Sequence, residues 1–144
     1  MTARGQQPLT RSVTFDLPFP PSFNLYYRTA ARGGRGGRAF ASTYISAKGL
    51  AYADDVAAAV WDRFGKISPI DFRLRIGFIL HPPDLRKRDL DNYQKAPLDA
   101  LTKCGFWKDD ELIDDLRTVR GEIIRPKGKL VVTVEEIEAA GVLF

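Results

Sequence analysis

Phe72, Leu74, Ile76, Phe78 and Leu80 are apolar at every second position, with Arg73, Arg75, Gly77 and Ile79 between them. A strand sends successive side chains to opposite faces, so this stretch predicts a strand with one face against a core. Whatever chemistry the chain carries must be hung from that strand. Its end delivers His81, Pro82 and Pro83, then three bases (Arg86, Lys87, Arg88) that run directly into Asp89 and Asp91. Like and unlike charges packed this tightly call for something between them, and a hydrated divalent cation on a polyanion suits both halves.

In an extended segment, residues two apart face the same side, so Asp89 and Asp91 are expected to converge on one point. Asp109 and Asp110 arrive from further along. Asp91 with Gln94 resembles a capping box that opens a helix over Asp91 to Lys103, which places Lys95 one turn beyond Asp91 on the same face. Pro97 predicts a kink or an irregular first turn there. Carboxylates beside a lysine are the inventory of metal-assisted phosphodiester cleavage, the acids holding the cation and the ammonium meeting the phosphate. An Asp-x-Asp also occurs in solvated turns and in sugar transferases, so the spacing leaves those readings open. Asp114 and Asp115 are adequately explained by surface roles.

One His and one Cys give acyl-transfer chemistry nothing to work with. Cys104, being alone, also excludes an internal disulfide and a cysteine zinc cluster. His81 suits a structural hydrogen bond or a DNA-facing role better than a ligand role, because magnesium-type sites prefer oxygen.

Elsewhere, Val13, Phe15 and Leu17 predict a short strand ended by Pro18, Pro20 and Pro21. From Ser22 to Lys48 the glycines at 33, 34, 36 and 37 predict an arginine-bearing loop. Ser46 is a helix N-cap, and Leu50, Ala53, Ala57, Val60 and Phe64 form the buried stripe of a helix that Gly65 closes. Leu116 to Ile124 and Leu130 to Ile137 read as a hairpin around Arg125 to Gly128. Phe106 and Trp107 suit either the core or an interface. At 144 residues, 44% hydrophobic and 28% charged, the chain is expected to be one α+β domain (1–144), a mixed sheet with two main helices packed on it, with tails frayed at 1–11 and 138–144. Its net charge of +4 favours an anionic partner. No apolar run suits a signal peptide or a membrane helix, which points to a cytoplasmic protein.

HPPDLRKRDLDNYQKAPLDALTKCGFWKDDELIDDLR, together with LPFPPSFNLYYR and YISAKGLAYADDV in that order, resembles the RusA family of Holliday-junction resolvases. The likeness runs from Leu17 to about Val134. It implies a homodimeric, magnesium-dependent endonuclease, bacterial or phage-encoded, that nicks four-way DNA junctions in opposed strands, with Mn2+ able to substitute. The family's essential aspartates fall on Asp89, Asp91 and Asp110 and its lysine on Lys95; Asp109 is a secondary metal candidate. Phe23, Leu112 and the longer arginine-glycine stretch depart from the family pattern and bear on which junction sequence is cut.

The expected DNA contacts are Arg73, Arg75, Arg86, Lys87 and Arg88, with Arg28, Arg32, Arg35 and Arg38 from the glycine-rich stretch. Two other functions fit fewer of these residues. A junction-binding protein without cleavage would not need all four catalytic positions. A metal-dependent enzyme acting on nucleotides or nucleotide-sugars would not need the basic run, and the chain has no glycine motif to cradle a nucleotide.

Overall fold

The computed structural model describes residues 12–33 and 39–137, of which 30–33 and 39–41 by backbone alone. The alternating stretch forms β4 (Leu74–His81), and its alternation is the observed burial: Leu74, Ile76, Phe78 and Leu80 are inside. β4 lies within a mixed four-stranded sheet. On one side β6 (Lys129–Glu136) pairs with it antiparallel, and β1 (Ser12–Leu17) pairs antiparallel beyond β6. On the other side β5 (Ile113–Arg120) pairs parallel to β4 and forms the edge.

Phe15 and Leu17 of β1 and Leu130, Val132 and Val134 of β6 continue the inner face. Two helices cover it: α2 (Ala47–Phe64) and α3 (Lys95–Lys103), packed against each other. Phe106, Trp107 and Ile70 fill the end of this layer and are fully buried. Each such large side chain contributes about 1.5 to 3 kcal/mol relative to exposure. Phe106 and Trp107 therefore belong to the core, where Trp107 Nε1 donates to Thr102 Oγ1 at 2.6 Å. The fold is α+β, a mixed sheet with two main helices on one face, as the sequence pattern led us to expect.

Three local expectations change. The segments near 116–124 and 130–137 are strands, but they do not form a hairpin, because β4 lies between β5 and β6. Residues 121–128 instead pass over the end of β4, with Gly121 N–H donating to the Leu80 carbonyl and Ile124 N–H to that of Pro82. Gly128 adopts φ +68°, and a Cβ there would stand 2.5 Å from the His81 carbonyl oxygen. The stretch Ser22 to Lys48 is not all loop. It holds a single helical turn, α1 (Phe23–Tyr26), and a two-stranded antiparallel sheet of β2 (Tyr27–Gly33) and β3 (Ala39–Ile45). The threonines and tyrosines flanking the glycines favour extended backbone, and they outweigh the glycines outside the cluster itself.

The third change concerns α2. Ser46 caps it, accepting from Gly49 N–H at 3.0 Å, and Gly65 ends it at φ +67°. The buried stripe, however, is Gly49, Tyr52, Ala53, Val56 and Val60, with Leu50 exposed. The face is rotated because Gly49 lets the helix meet the Tyr26 carbonyl closely, where any Cβ would collide. The expectation of frayed tails lies outside the described residues.

Candidate active site

The acidic loop after β4 is held from several directions. Asp84 accepts Arg86 N–H at 3.0 Å and pairs with Arg88 at 2.9 Å, and these contacts keep its carboxyl below the usual range, Arg88 first. The Arg88 guanidinium also lies over the Phe19 ring, 5.3 Å from its centre, and Phe19 in turn packs on Tyr93 at 5.5 Å. From the edge strand, Arg120 Nη2 donates to the Arg88 carbonyl at 2.7 Å. Arg88 is thus a brace with its side chain only 9% exposed. Asp89 begins where that brace ends.

Asp89 is extended (φ −90°, ψ 128°), but Asp91 lies in a 3-10 turn, Leu90–Tyr93, so the two are not neighbours on an extended strand. The expected convergence assumed extended backbone through both residues, whereas here the chain turns between Asp89 and Asp91. Both carboxylates are exposed. The capping box is not formed either, since Gln94 enters α3 with no side-chain cap. Pro97 explains the irregular start. Placed third in α3, it lacks an N–H where none is required, so the regular helix begins at Lys95 rather than Asp91.

Asp110 arrives from the turn before β5, Asp110–Leu112. Its neighbour Asp109 is occupied in capping that turn, with Oδ1 accepting Glu111 N–H at 3.0 Å, and this bond, then the Asp110 side chain, hold the Asp109 carboxyl below its ordinary range. Asp110 is left facing α3. There Lys95 Nζ stands 3.6 Å from Asp110 Oδ2 and 3.1 Å from Asp99 Oδ1. Burial, and then the charge of Asp110, push the Asp99 carboxyl up to about 6. Asp99 is the acid that the motif reading passed over. Its signal was present as the four-residue step from Lys95, which reads equally well as an ordinary helix pair.

The bases divide into two groups. Arg73 is forked between Glu111 and Asp114 (3.0 Å to each), and Arg75 holds Asp115 at 2.9 Å and Glu135 at 3.5 Å, on the sheet face away from the helices. Arg86 and Lys87 are exposed on the acidic loop, and Arg28 is exposed on β2. The Arg32 side chain and the whole of Arg35 and Arg38 lie outside the described residues. His81 Nδ1 meets the Glu122 carbonyl oxygen at 2.9 Å, a structural hydrogen bond that ties the 121–128 crossover to β4. Beside the loop, Phe19, Pro20, Lys48, Tyr52, Arg86 and Tyr93 line an open cleft of about 530 Å3.

Every donor offered here is a carboxylate oxygen, which fits a hard divalent cation in kind. As the side chains stand, no three acids, histidines or cysteines among the described residues are grouped closely enough to hold a metal ion. Lys95 occupies part of the space by pairing with Asp110.

A parallel β4-α3-β5 unit that presents exposed acids, a lysine between two carboxylates and a basic loop has the chemistry of a phosphodiester-cleaving site. Comparison with known proteins agrees. The family model for endodeoxyribonuclease RusA matches residues 18–135. The crossover junction endodeoxyribonuclease RusA of Escherichia coli O139:H28 is 44% identical over 131 residues, 89% of this chain and 96% of that protein. Its counterpart in strain K12 is 42% identical over the same shares, and that of Enterobacteria phage 82 is 43% identical over 124 residues, 84% of this chain and 92% of its own. The chain belongs to the RusA family of endodeoxyribonucleases. For a nuclease of this family a divalent metal requirement is general. No helix among the described residues is long and apolar enough to cross a membrane.

Proposed function

We propose that the protein is a structure-selective endonuclease that resolves four-way DNA junctions by paired nicks, with Mg2+ as its metal and a homodimer as its working form. The observation that carries this is the placement of Lys95 against Asp110 at 3.6 Å, which brings together two residues 15 positions apart to which the sequence resemblance assigns the catalysis. Asp89, Asp91 and Asp110 would hold the metal, which supplies a water of lowered pKa and charge neutralisation at the phosphate. Lys95 meets the non-bridging phosphate oxygen on which charge develops. Lys87 and Arg28 are exposed toward the backbone of the arms, as is Arg86, whose pair with Asp84 is long at 3.8 Å, whereas Arg73 and Arg75 would first have to leave close carboxylates. The open cleft beside the loop gives a strand room to lie next to the acids.

The dimer follows from the substrate. A four-way junction presents two symmetry-related strands, and two identical sites about one rotation axis nick both. The reading is tested by incubating the protein with a mobile four-way junction and a matched linear duplex, with Mg2+ or with chelator. Paired nicks confined to the junction and dependent on Mg2+ are expected. Equal cutting of the duplex, or cutting in chelator, defeats the reading.

A further inference from the structure

We propose that Asp99 is a positioning residue for Lys95, holding its ammonium in place once Asp110 is taken up by a cation. This rests on the function proposed above and adds a residue to it. The ammonium lies between two carboxylates, Asp99 at 3.1 Å and Asp110 at 3.6 Å, on different elements.

Helix stability does not account for the arrangement. Lys95 is the first residue of α3, at the positive end of the helix dipole, where a base is unfavourable. A base followed by an acid four residues later is also the weaker order for a helix ion pair. The pair therefore serves the contact at its far end. Asp99 is also the best-anchored member: its side chain is 24% exposed against 38% for Asp110 and 46% for Lys95, and it is flanked in α3 by buried Leu98 and Ala100.

The two acids then have separate duties. With Asp110 committed to a cation, Lys95 would lose that partner and be repelled by the ion's charge. With Asp99 present, Lys95 keeps a partner one helical turn away and stays beside the phosphate. Without it, the only carboxylate left to Lys95 among the observed ion pairs is Asp110 itself, so the ammonium competes with the cation or swings into solvent.

The test uses the full chain and two independent readouts. The first is the Nζ resonance of Lys95 in a 15N-lysine NMR spectrum, assigned by its loss in Lys95→Ala, recorded with Mg2+ alone and no DNA. In the wild type the signal is expected to persist on adding Mg2+; in Asp99→Asn it is expected to disappear when Mg2+ is added. A signal missing from the wild type, or one that survives Mg2+ equally in both proteins, overturns the proposal.

The second readout is a double-mutant cycle of single-turnover nicking rates. Asp99→Asn is expected to be slower by about ten- to a hundredfold, the cost of misplacing a group by an ångström. Asp99→Glu, which retains the charge, is expected to recover part of that. In the Lys95→Ala background, Asp99→Asn should cost nothing further, because both changes remove the same interaction. Losses that multiply would show Asp99 acting apart from Lys95 and overturn the proposal. A wild type that nicks no junction defeats the function reading, while the NMR readout still decides the role of Asp99.

Discussion

Lys95 and Asp110 face each other across the gap between α3 and the turn that opens β5, with Nζ 3.6 Å from Oδ2. The contact joins the first residue of α3 to the last turn of the crossover that makes β4 and β5 parallel, so the site is assembled only when that crossover is folded.

Lys95 separates mechanism from packing. Lys95→Ala should lower the single-turnover rate by about two to three powers of ten, the range for removing one charge-stabilising donor. Junction affinity should fall only modestly. Lys95→Arg keeps the charge on a broader planar group and should recover part of the rate. A rate for Lys95→Ala near wild type would remove the lysine from the chemistry.

Asp89→Asn, Asp91→Asn and Asp110→Asn should each abolish nicking while junction binding, measured by gel shift in chelator, survives or tightens. Each change removes a donor for the cation and a negative charge that faces phosphate. Retained nicking in all three would place the metal elsewhere.

Binding should weaken steeply with salt, with a log-log slope of about 0.7 to 0.9 per phosphate contact. Replacing Arg86 and Lys87 by Ala should flatten that slope. Arg88→Ala should act differently: with its guanidinium gone, Asp84 and Phe19 lose their partner, and the expected effect is a lower melting temperature. The same slope for wild type and the Arg86, Lys87 double variant would move the DNA surface away from this loop.

Asp99 gives the metal-free protein a definite pH signature. Its folded pKa of about 6 lies above the 3.8 of an ordinary aspartate, so between those values the folded state binds more protons than the unfolded one. Stability from this group is therefore lost as pH rises through that window. Asp99→Asn should be more stable relative to wild type above about pH 6 than below about pH 4. Melting curves of both proteins across this range check the sign, and a constant difference would show an ordinary carboxyl.

Gly128→Ala should destabilise the fold by about 1 to 3 kcal/mol, since it combines a positive φ with a Cβ against backbone. Chemical denaturation measures it, and an unchanged midpoint would mean that the crossover over β4 yields freely.

Much of this was legible in the chain. Strict alternation located β4 and its buried face, and Ser46 and Gly65 bounded α2, because those signals are local. Partner choice is not local: period-two patterns marked 116–124 and 130–137 as strands but carried nothing to show that β4 would come between them. At the site, spacing named the acids and the lysine. It misjudged their geometry because Pro97 sets where α3 can begin, which leaves Asp91 in a tighter turn. Asp99 was hidden by ordinariness, an acid one turn from a base, and became distinct only when Asp110 arrived from another element.

The pairing of Arg73 and Arg75 with carboxylates also sets how the molecule meets a polyanion. These arginines stand on the side of the sheet away from the helices, where Glu111, Asp114, Asp115 and Glu135 cancel their field at close range. Arg86 and Lys87, by contrast, are exposed on the rim that carries Asp89. A duplex arm reaching the sheet side therefore meets arginines whose charge is already answered, so a basic stretch of sequence is not by itself a patch of attraction on the surface.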